Sequence, residues 1–336
     1  MAVRMLHVGV GIRGRHWLEY VGAHPDFQTV GVVDTVEASL KEAGALTDAP
    51  AFATVAEAAA AVEADAALIA SPSFLHVEHA LAALEAGLGT MIEKPFATGV
   101  AEAQRILERA RTADRPVMVA ENFRYVQTER TIRELVRSGF VGRVYNASFV
   151  DRRRMPKETQ VAWMGSMRYP QLQELAVHHF DSLRSFFREP VAISARAFNP
   201  DATYEHGSST QALIEMEDDV HVQYLGSLAS HKFAWRLTVE GENGLLWSDR
   251  KRVWWRARGK KFFRPLKKIA VPKGDELAYP REGTVSLLNT FRDHLVHGQV
   301  SETCGDDNLR TIALMEAGKL SDAEGRRVRI DELLPA

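Results

Sequence analysis

Three groups of residues carry side chains that could do chemistry. The first is Glu93-Lys94-Pro95, which follows an apolar run that predicts a buried strand. A lysine ammonium at the carboxyl end of such a strand can bond a substrate hydroxyl or carbonyl oxygen and stabilise negative charge that develops there. A loop lysine in water is the competing interpretation, and the spacing of this motif alone favours it.

The second group lies on a helix predicted over residues 172–187. At 100° per residue, one polar stripe of this helix carries Glu174, His178, Asp181 and Ser185, opposite an apolar stripe. His178 could serve as a general acid or base, and a carboxylate four residues earlier can orient its ring. A solvated face with an ordinary ion pair is the alternative. Three ligands on one stripe suit tetrahedral metal coordination poorly, so we expect no metal.

The third group is the motif GVGIRG at residues 9–14, between a predicted strand and a predicted helix. Gly9 permits a tight turn, Gly11 lets the backbone approach a pyrophosphate, and Gly14 lets the helix pack on the strand. Asp34 ends the next predicted strand, 20 residues after Gly14, where a carboxylate bonds ribose hydroxyls. The pattern predicts nucleotide binding, against the alternative of a glycine-rich turn without a ligand.

The residues around this motif bear on the choice of cofactor. Ile12 and Arg13, within the glycine motif, are also expected beside the cofactor. Asp34 would repel a 2′-phosphate, so NAD is favoured over NADP, although Arg13 or Arg15 could weaken that preference.

Short apolar runs alternating with helical patterns predict how the first 120 residues position these groups. Repeated strand–helix units predict a doubly wound parallel sheet, an α/β fold. The predicted strands are 3–8, 29–33, 66–70, 90–92 and 117–119, and the predicted helices are 14–23, 36–44, 55–62, 74–86 and 98–113. From about residue 140, close-spaced strands predict a largely antiparallel sheet. These strands are 143–150, 191–198, 209–216, 219–227, 234–240, 245–247, 251–257 and 261–264, with helices at 126–138, 172–187, 284–297 and 307–320.

Composition narrows the class of protein. A chain of 336 residues predicts about two domains, and 42 basic against 44 acidic residues give a net charge of −2. This balance gives no overall attraction to nucleic acid or anionic membrane. A single cysteine, Cys304, favours a reducing compartment, and no apolar run approaches the ~18 residues of a membrane helix. We therefore expect a soluble cytoplasmic protein.

Residues 250–268 depart from this balance, with ten basic residues and no acid. Basic residues interleaved with aromatics could bind nucleic acid, which would give a steep salt dependence of binding. The favoured interpretation is a hairpin turning at Gly259, with one aromatic face packed and the Lys and Arg side chains protecting a sheet edge.

The motifs together resemble the Gfo/Idh/MocA family of nicotinamide-dependent oxidoreductases over nearly the whole chain. In order they read GVGIRG, VVD, ASPSFLHVEHALAALEAG, EKP, ENFRY, ELAVHHFD and DDNLRTIALMEAGKLSDAEGRRV. The resemblance implies a Rossmann domain over residues 1–121. It implies a second α/β domain over residues 122–336, with an open, mostly antiparallel sheet that often forms the oligomer interface, so a homodimer or homotetramer is expected.

The resemblance also implies roles for single residues. Lys94 matches the lysine that polarises the substrate oxygen, and His178 matches the general acid/base. Glu174 and Ala176 stand where the family usually has Asp and Gly, so the longer Glu174 would orient His178. Further positions match those that line the cofactor: Ser71, Pro72, His76, Glu93 and Asn122. Other residues are expected at the substrate: Arg124, Trp163, His179 and Asp181, with Tyr169 and Arg152 to Arg154 as further specificity candidates.

The function that the resemblance implies is an NAD-dependent dehydrogenase or reductase acting on a sugar, polyol, inositol or glycoside. A different class of function, a sensor or regulator that binds the cofactor without turnover, is the alternative. The presence of both Lys94 and His178 argues against it. The sequence names neither the substrate nor the direction of reaction.

Overall fold

The chain divides into two compact units. The computed structural model describes residues 2–155, 162–200, 204–276 and 281–334. The first unit comprises Met1–Tyr125 with Pro272–Leu309, and the second comprises Val126–Val271 with Arg310–Ala336.

Six parallel strands form the sheet of the first unit, in the order β3-β2-β1-β4-β5-β6. The chain runs outward from β1 to β3 and then returns across β1 to β4, so the strand order reverses between β1 and β4. Every residue of β4, β5 and β6 is buried, as in sheets covered on both faces. The strands are β1 Val3–Val8, β2 Phe27–Val33, β3 Ala51–Phe52, β4 Ala66–Ile69, β5 Gly89–Ile92 and β6 Val117–Val119.

The sheet and its helices confirm the predicted doubly wound fold. The sequence does not predict the two-residue strand β3, because two residues carry no periodicity. Helix α1 begins at Ile12, two residues before its predicted start, because Gly11 already serves as its N-cap. The helices of the first unit are α1 Ile12–Gly22, α2 Glu37–Ala43, α3 Val55–Ala61, α4 His76–Glu85, α5 Val100–Ala113 and α9 Thr284–His297.

The segment that carries α9 returns to the first unit. Its apolar face buries Leu287, Leu288 and Phe291 in one core cluster with Met5 and Trp17. The sequence-based division after residue 121 instead places this segment in the second domain. The amphipathic pattern of a helix predicts which face is buried but not the sheet against which that face packs. The sequence pattern therefore does not predict that α9 returns to the first unit.

Nine strands form the sheet of the second unit, in the order β14-β13-β12-β11-β7-β10-β9-β8-β15. Strands β7 and β10 pair in parallel, and the other neighbouring pairs are antiparallel, which confirms the mostly antiparallel sheet. The strands are β7 Val144–Arg154, β8 Pro190–Phe198, β9 Ser209–Met216, β10 Val220–Ser227, β11 Ala229–Gly241, β12 Gly244–Ser248, β13 Val253–Ala257, β14 Arg264–Leu266 and β15 Val328–Arg329.

Helices of the second unit pack on this sheet. The π-helix Gln171–Ala176 lies against β9 and β10, and α6 contacts both α8 and β13. The α-helices are α6 Gln127–Arg137, α7 Ala162–Gly165, α8 Val177–Phe187 and α10 Gly305–Glu324, the last of which contains residues of both units. Within the described ranges, no helix is both long and apolar enough to cross a membrane.

Candidate active site

The turn between β1 and α1 has the geometry of a phosphate-binding loop. Gly9 has φ +84°, and a Cβ there would lie 2.4 Å from the backbone nitrogen of Ser71. A Cβ on Gly14 would lie 2.0 Å from the carbonyl oxygen of Gly9. At Gly11 no heavy atom lies within 4 Å of the Cβ position, so this backbone faces open space at the start of α1. The open helix N-terminus fits a cofactor diphosphate.

Asp34 is fixed at the end of β2 by backbone donors. Its Oδ2 accepts the N–H of Val10 at 2.9 Å, and its Oδ1 accepts the N–H of Val36 at 2.9 Å. Arg15 ion-pairs with Glu42 at 2.7 Å and donates to the carbonyl of Val10 at 3.3 Å. The carboxylate is therefore held beside the glycine turn, where a ribose would lie.

Glu93 lies beneath the glycine turn with 5% of its surface exposed. Its Oε1 accepts from Arg13 Nε at 2.5 Å and Trp17 Nε1 at 2.7 Å, and its Oε2 accepts from the Lys94 N–H at 3.1 Å. Burial would raise the pKa of Glu93, but the charges of Arg13 and Lys94 and the hydrogen bonds of Trp17 and Arg13 outweigh it and lower the pKa. Glu93 thus anchors the backbone of Lys94 as a buried anion.

Lys94 stands in a row with residues of the neighbouring strands. Ile92 of β5 pairs with Ile69 of β4 and with Val119 of β6. These three residues end their strands, and Ser71, Lys94 and Glu121 each lie two residues further along the chain. The half-buried Lys94 therefore lies where ligands bind in open parallel sheets, as the sequence predicted.

His76 ties together the turns that flank Lys94. Its Nδ1 lies 2.8 Å from the carbonyl oxygen of Pro95, and its Nε2 lies 2.9 Å from that of Ser71. Carbonyl oxygens only accept, so in each of these bonds the ring nitrogen is the donor when it carries a proton. The sequence predicted that His76 lines the cofactor. The residue is 1% exposed, and its hydrogen bonds link the turns after β4 and β5.

The short helix after β6 carries two of the predicted site residues, and both hold the returning segment of the first unit. Asn122 Nδ2 donates to the carbonyl of Glu282 at 2.9 Å. Arg124 is 6% exposed and donates to the carbonyl of Glu302 and to Asp307 Oδ2, each at 2.9 Å. These bonds fix the guanidinium of Arg124, whose contact with substrate stays a prediction.

The second unit presents Glu174 and His178 on a broken helix. The sequence predicted one α-helix over 172–187, whereas the structure has a π-helix over Gln171–Ala176 followed by α8. The wider turn alters the angle between Glu174 and His178 from that of an α-helix with the same spacing. Glu174 is half-buried, and His178 is 9% exposed. A π-helical turn is frequent at functional sites, which is consistent with the predicted role of this segment.

The neighbouring His179 belongs to a fully buried hydrogen-bond network. Its Nε2 lies 3.0 Å from Asp151 Oδ2, and its Nδ1 lies 2.9 Å from the hydroxyl of Tyr224, to which Gln171 Nε2 donates at 2.7 Å. Burial lowers the pKa of His179, so the neutral ring donates to Asp151 and accepts from Tyr224. Burial would raise the pKa of Asp151, but His179 and Arg153 outweigh it and lower the pKa to about 2.

Two residues predicted to contact substrate are buried within the second unit, and their contact with substrate stays a prediction. His179 is 0% exposed, and both its ring nitrogens have partners within the second unit. Asp181 is also 0% exposed and accepts from Thr311 Oγ1 at 3.0 Å. Because every residue of α8 is buried, its polar stripe contacts the rest of the protein instead of solvent. Trp163 is half-buried on α7 and stays a candidate substrate contact.

We predict that Tyr224→Phe destabilises the second unit. The change removes the hydroxyl bonded by both Gln171 and His179, which should lower the free energy of unfolding by about 1–3 kcal/mol. Chemical denaturation checks this, with Tyr145→Phe on the exposed end of β7 as the control. Equal stability of the two variants would show that the hydroxyl contributes nothing.

The sequence did not predict four residues that lie around Glu93, Lys94 and His179, namely Trp17, Glu121, Asp151 and Tyr224. Glu121 left a usable signal, since it follows β6 at the same distance as Lys94 follows β5. The partners of Glu93 and His179 left none, because they come from distant parts of the chain. Among the described residues, no group of three or more His, Cys, Asp or Glu side chains is arranged to hold a metal.

Two family models match most of the chain. The one described as an oxidoreductase family with an NAD-binding Rossmann fold matches residues 3–121. The one described as the C-terminal domain of the same family matches residues 130–247. The chain belongs to the Gfo/Idh/MocA family. It is therefore an oxidoreductase with an NAD-binding domain, as the resemblance implied.

Curated proteins and solved structures resemble the chain over most of its length. The D-apiose dehydrogenase of Rhizobium rhizogenes is 24% identical over 266 residues, 72% of each chain. An oxidoreductase from Agrobacterium radiobacter, solved with NAD+, L-tartaric acid and magnesium, superposes with a TM-score of 0.90 at 19% identity, covering 99% of this chain and 100% of that one. Levoglucosan dehydrogenase with NADH and levoglucosan gives a TM-score of 0.85 at 17% identity, covering 98% and 100%. These two structures share the fold of this chain.

Proposed function

We propose that this enzyme transfers hydride between NAD and a secondary hydroxyl or carbonyl group of a sugar, polyol, inositol or glycoside. Membership of the oxidoreductase family supports the reaction class. The names of a D-apiose dehydrogenase and a levoglucosan dehydrogenase among the similar proteins support a carbohydrate substrate.

The observation that carries the proposal is the arrangement at the carboxyl ends of the first sheet. Gly11 leaves the start of α1 open, Asp34 is held beside it, and Glu93 anchors Lys94 two strands away. Along one edge of the sheet, these residues are placed to bind the diphosphate, the adenosine ribose and the nicotinamide end of a dinucleotide.

The proposed mechanism assigns one task to each of three side chains. Bound NAD supplies the hydride acceptor in oxidation and, as NADH, the hydride donor in reduction. Lys94 bonds the substrate oxygen and stabilises its partial negative charge. His178 takes the hydroxyl proton during oxidation and returns it during reduction. Glu174 orients the His178 ring and stabilises its charged form.

Preference for NAD over NADP is part of the proposal and rests on Asp34. The carboxylate would repel a 2′-phosphate at the end of β2. The two arginines that could attract that phosphate have acidic partners, since Arg15 pairs with Glu42 and Arg13 pairs with Glu93. The charge at Asp34 therefore favours a ribose with free hydroxyls.

We predict that Asp34→Asn lowers the preference for NAD+ over NADP+ by about tenfold. The amide keeps the size of the side chain but loses the charge-assisted bonds to ribose, each of which contributes about 1.5–3 kcal/mol. Dissociation constants for both cofactors check this, with the exposed Asp48→Asn as the control. An unchanged ratio would remove Asp34 from the choice of cofactor.

A cofactor and substrate screen tests the proposed reaction. The protein is mixed with NAD+ or NADP+ and a panel of sugars, sugar acids, inositols and glycosides, and the absorbance of reduced nicotinamide is followed. NADH with the corresponding ketones tests the reverse direction. Turnover of a carbohydrate with NAD supports the proposal. Cofactor binding with no turnover in either direction would contradict it and favour the sensor function.

We also propose that the exposed face of the nine-stranded sheet joins subunits of a homodimer or homotetramer. This face carries Leu213, which is 62% exposed on β9, beside the half-buried Leu225 of β10. Apolar side chains on an open sheet face are typical of a protein–protein interface. Light scattering of the purified protein gives the mass, and a monomer at micromolar concentration would contradict the proposal.

A further inference from the structure

The proposed mechanism leaves one buried acid of the first unit without a task. Glu121 is 0% exposed, and it follows the end of β6 by two residues, as Lys94 follows the end of the adjacent β5. The N–H of Ala120 donates to the carbonyl of Ile92 at 2.7 Å, which continues the pairing of β6 with β5 up to Ala120. Glu121 therefore follows directly on the paired end of β6, at the edge where the proposed cofactor site ends.

The charged groups around Glu121 come from several elements. Glu93 and Lys94 follow β5, and Arg124 follows β6. Arg13 of α1 pairs with Glu93 at 2.5 Å, and Arg124 pairs with Asp307 at 2.9 Å.

Two ion pairs thus supply both signs of charge close to Glu121. Adding or removing one further charge changes the balance of the whole cluster. The protonation of Glu121 is therefore sensitive to the charge of any ligand that binds at this edge of the sheet.

The fold indicates which part of the cofactor approaches Glu121. Asp34 marks the ribose of the adenosine half at the end of β2, and the start of α1 marks the diphosphate. A dinucleotide crosses the sheet at the reversal of strand order, so its nicotinamide half extends toward β4, β5 and β6. The nicotinamide carries one positive charge in NAD+ and none in NADH.

We propose that Glu121 couples its own proton to the oxidation state of the cofactor. Binding of NAD+ releases the proton of Glu121 to solvent, leaving a carboxylate whose charge offsets that of the cationic ring. Binding of NADH leaves the carboxyl group protonated. The charge balances, because one proton leaves as one positive charge enters. This inference rests on the cofactor site of the proposed function and assigns Glu121 as the residue that discriminates between NAD+ and NADH.

The ionisation of Glu121 in the free protein supports this assignment. Burial raises its pKa to about 8 and Glu93 adds to the rise, against the opposing charges of Lys94 and Arg124. The group is therefore protonated at neutral pH and has a proton to release. A nearby opposite charge lowers a carboxyl pKa by about 1–3 units, so NAD+ affinity should rise about 7- to 30-fold between pH 6.5 and 9.

Equilibrium binding tests the proposal without any substrate. Quenching of tryptophan fluorescence gives the dissociation constants of NAD+ and NADH from pH 6.5 to 9 for the wild type, Glu121→Gln and the exposed control Glu85→Gln. Calorimetry of NAD+ binding to the wild type at pH 7, in buffers of different ionisation enthalpy, counts the protons released.

The expected result has three parts. NAD+ affinity of the wild type and of Glu85→Gln rises with pH, NADH affinity changes less than threefold, and Glu121→Gln loses the pH dependence of NAD+ binding. Calorimetry should show release of a substantial fraction of one proton with NAD+. A flat NAD+ profile in the wild type, or an unchanged profile in Glu121→Gln, would overturn the inference while leaving the dehydrogenase function intact. Failure of NAD+ to bind at any pH would overturn both.

Discussion

Replacing His178 with alanine is expected to lower kcat by about 10²- to 10⁴-fold, the usual contribution of a positioned general acid or base. The dissociation constant of NAD+ should change less than threefold, because His178 belongs to the second unit and the glycine turn, Asp34 and Glu93 belong to the first. A proton must leave the hydroxyl as hydride leaves the carbon, and no imidazole remains at position 178 in the variant to accept it.

The comparison needs a histidine of similar chemistry outside the proposed site. His297, exposed near the end of α9, provides it through His297→Ala. Steady-state kinetics and cofactor titration of both variants separate loss of turnover from loss of binding. If His178→Ala turned over substrate as fast as His297→Ala, the general acid/base role would be wrong. Loss of NAD+ binding in His178→Ala would point instead to a structural role.

The periodicity of the chain predicted the sheet of the first unit well, because this signal is local. The run Val117–Val119 is apolar throughout and the run Val3–Val8 is mostly apolar, as expected of buried parallel strands, and the bounds of both are confirmed. Glycine chemistry also acts locally. The positive φ of Gly9 and the contact of Gly14 with it depend on residues within one turn.

What the sequence did not predict depends on contacts between distant residues. Glu93 bonds Arg13 across 80 positions, and Arg124 bonds Asp307 across 183. The spacing of the residues predicts neither pairing. The π-helical turn before His178 was missed for a different reason. An amphipathic pattern is compatible with either helical form until packing against β9 and β10 selects one.

The predicted polar stripe of α8 shows a further limit of pattern reasoning. Polar residues at helical spacing usually mark a solvated face, yet Asp181 and Ser185 are 0% and 3% exposed. Buried polar groups are stable when hydrogen-bonded, and here Thr311 and the Ser182 carbonyl supply the partners. Periodicity thus predicts the helix, but it does not determine whether the polar face contacts water or buried polar groups.

The second large effect expected is on stability, and it concerns Glu121 in the protein without cofactor. A glutamate has an ordinary pKa of 4.5, whereas burial raises that of Glu121 to about 8 in the folded protein. Between these values the folded state holds a proton that the unfolded state has released. Stability contributed by this group therefore falls as pH rises from about 4.5 to 8 and is constant outside that window.

Glu121→Gln should remove this decline, because a neutral amide fills nearly the same space at every pH. Each unit of pKa difference corresponds to about 1.4 kcal/mol, so the variant should gain about 3–5 kcal/mol over the wild type between pH 5 and pH 8.5. Urea unfolding at both pH values measures the gain, and Glu85→Gln at the exposed end of α4 corrects for a general change of charge. Equal pH dependence in wild type and Glu121→Gln would mean that the buried carboxyl ionises near its ordinary pKa, which would require the surrounding cations to outweigh its burial.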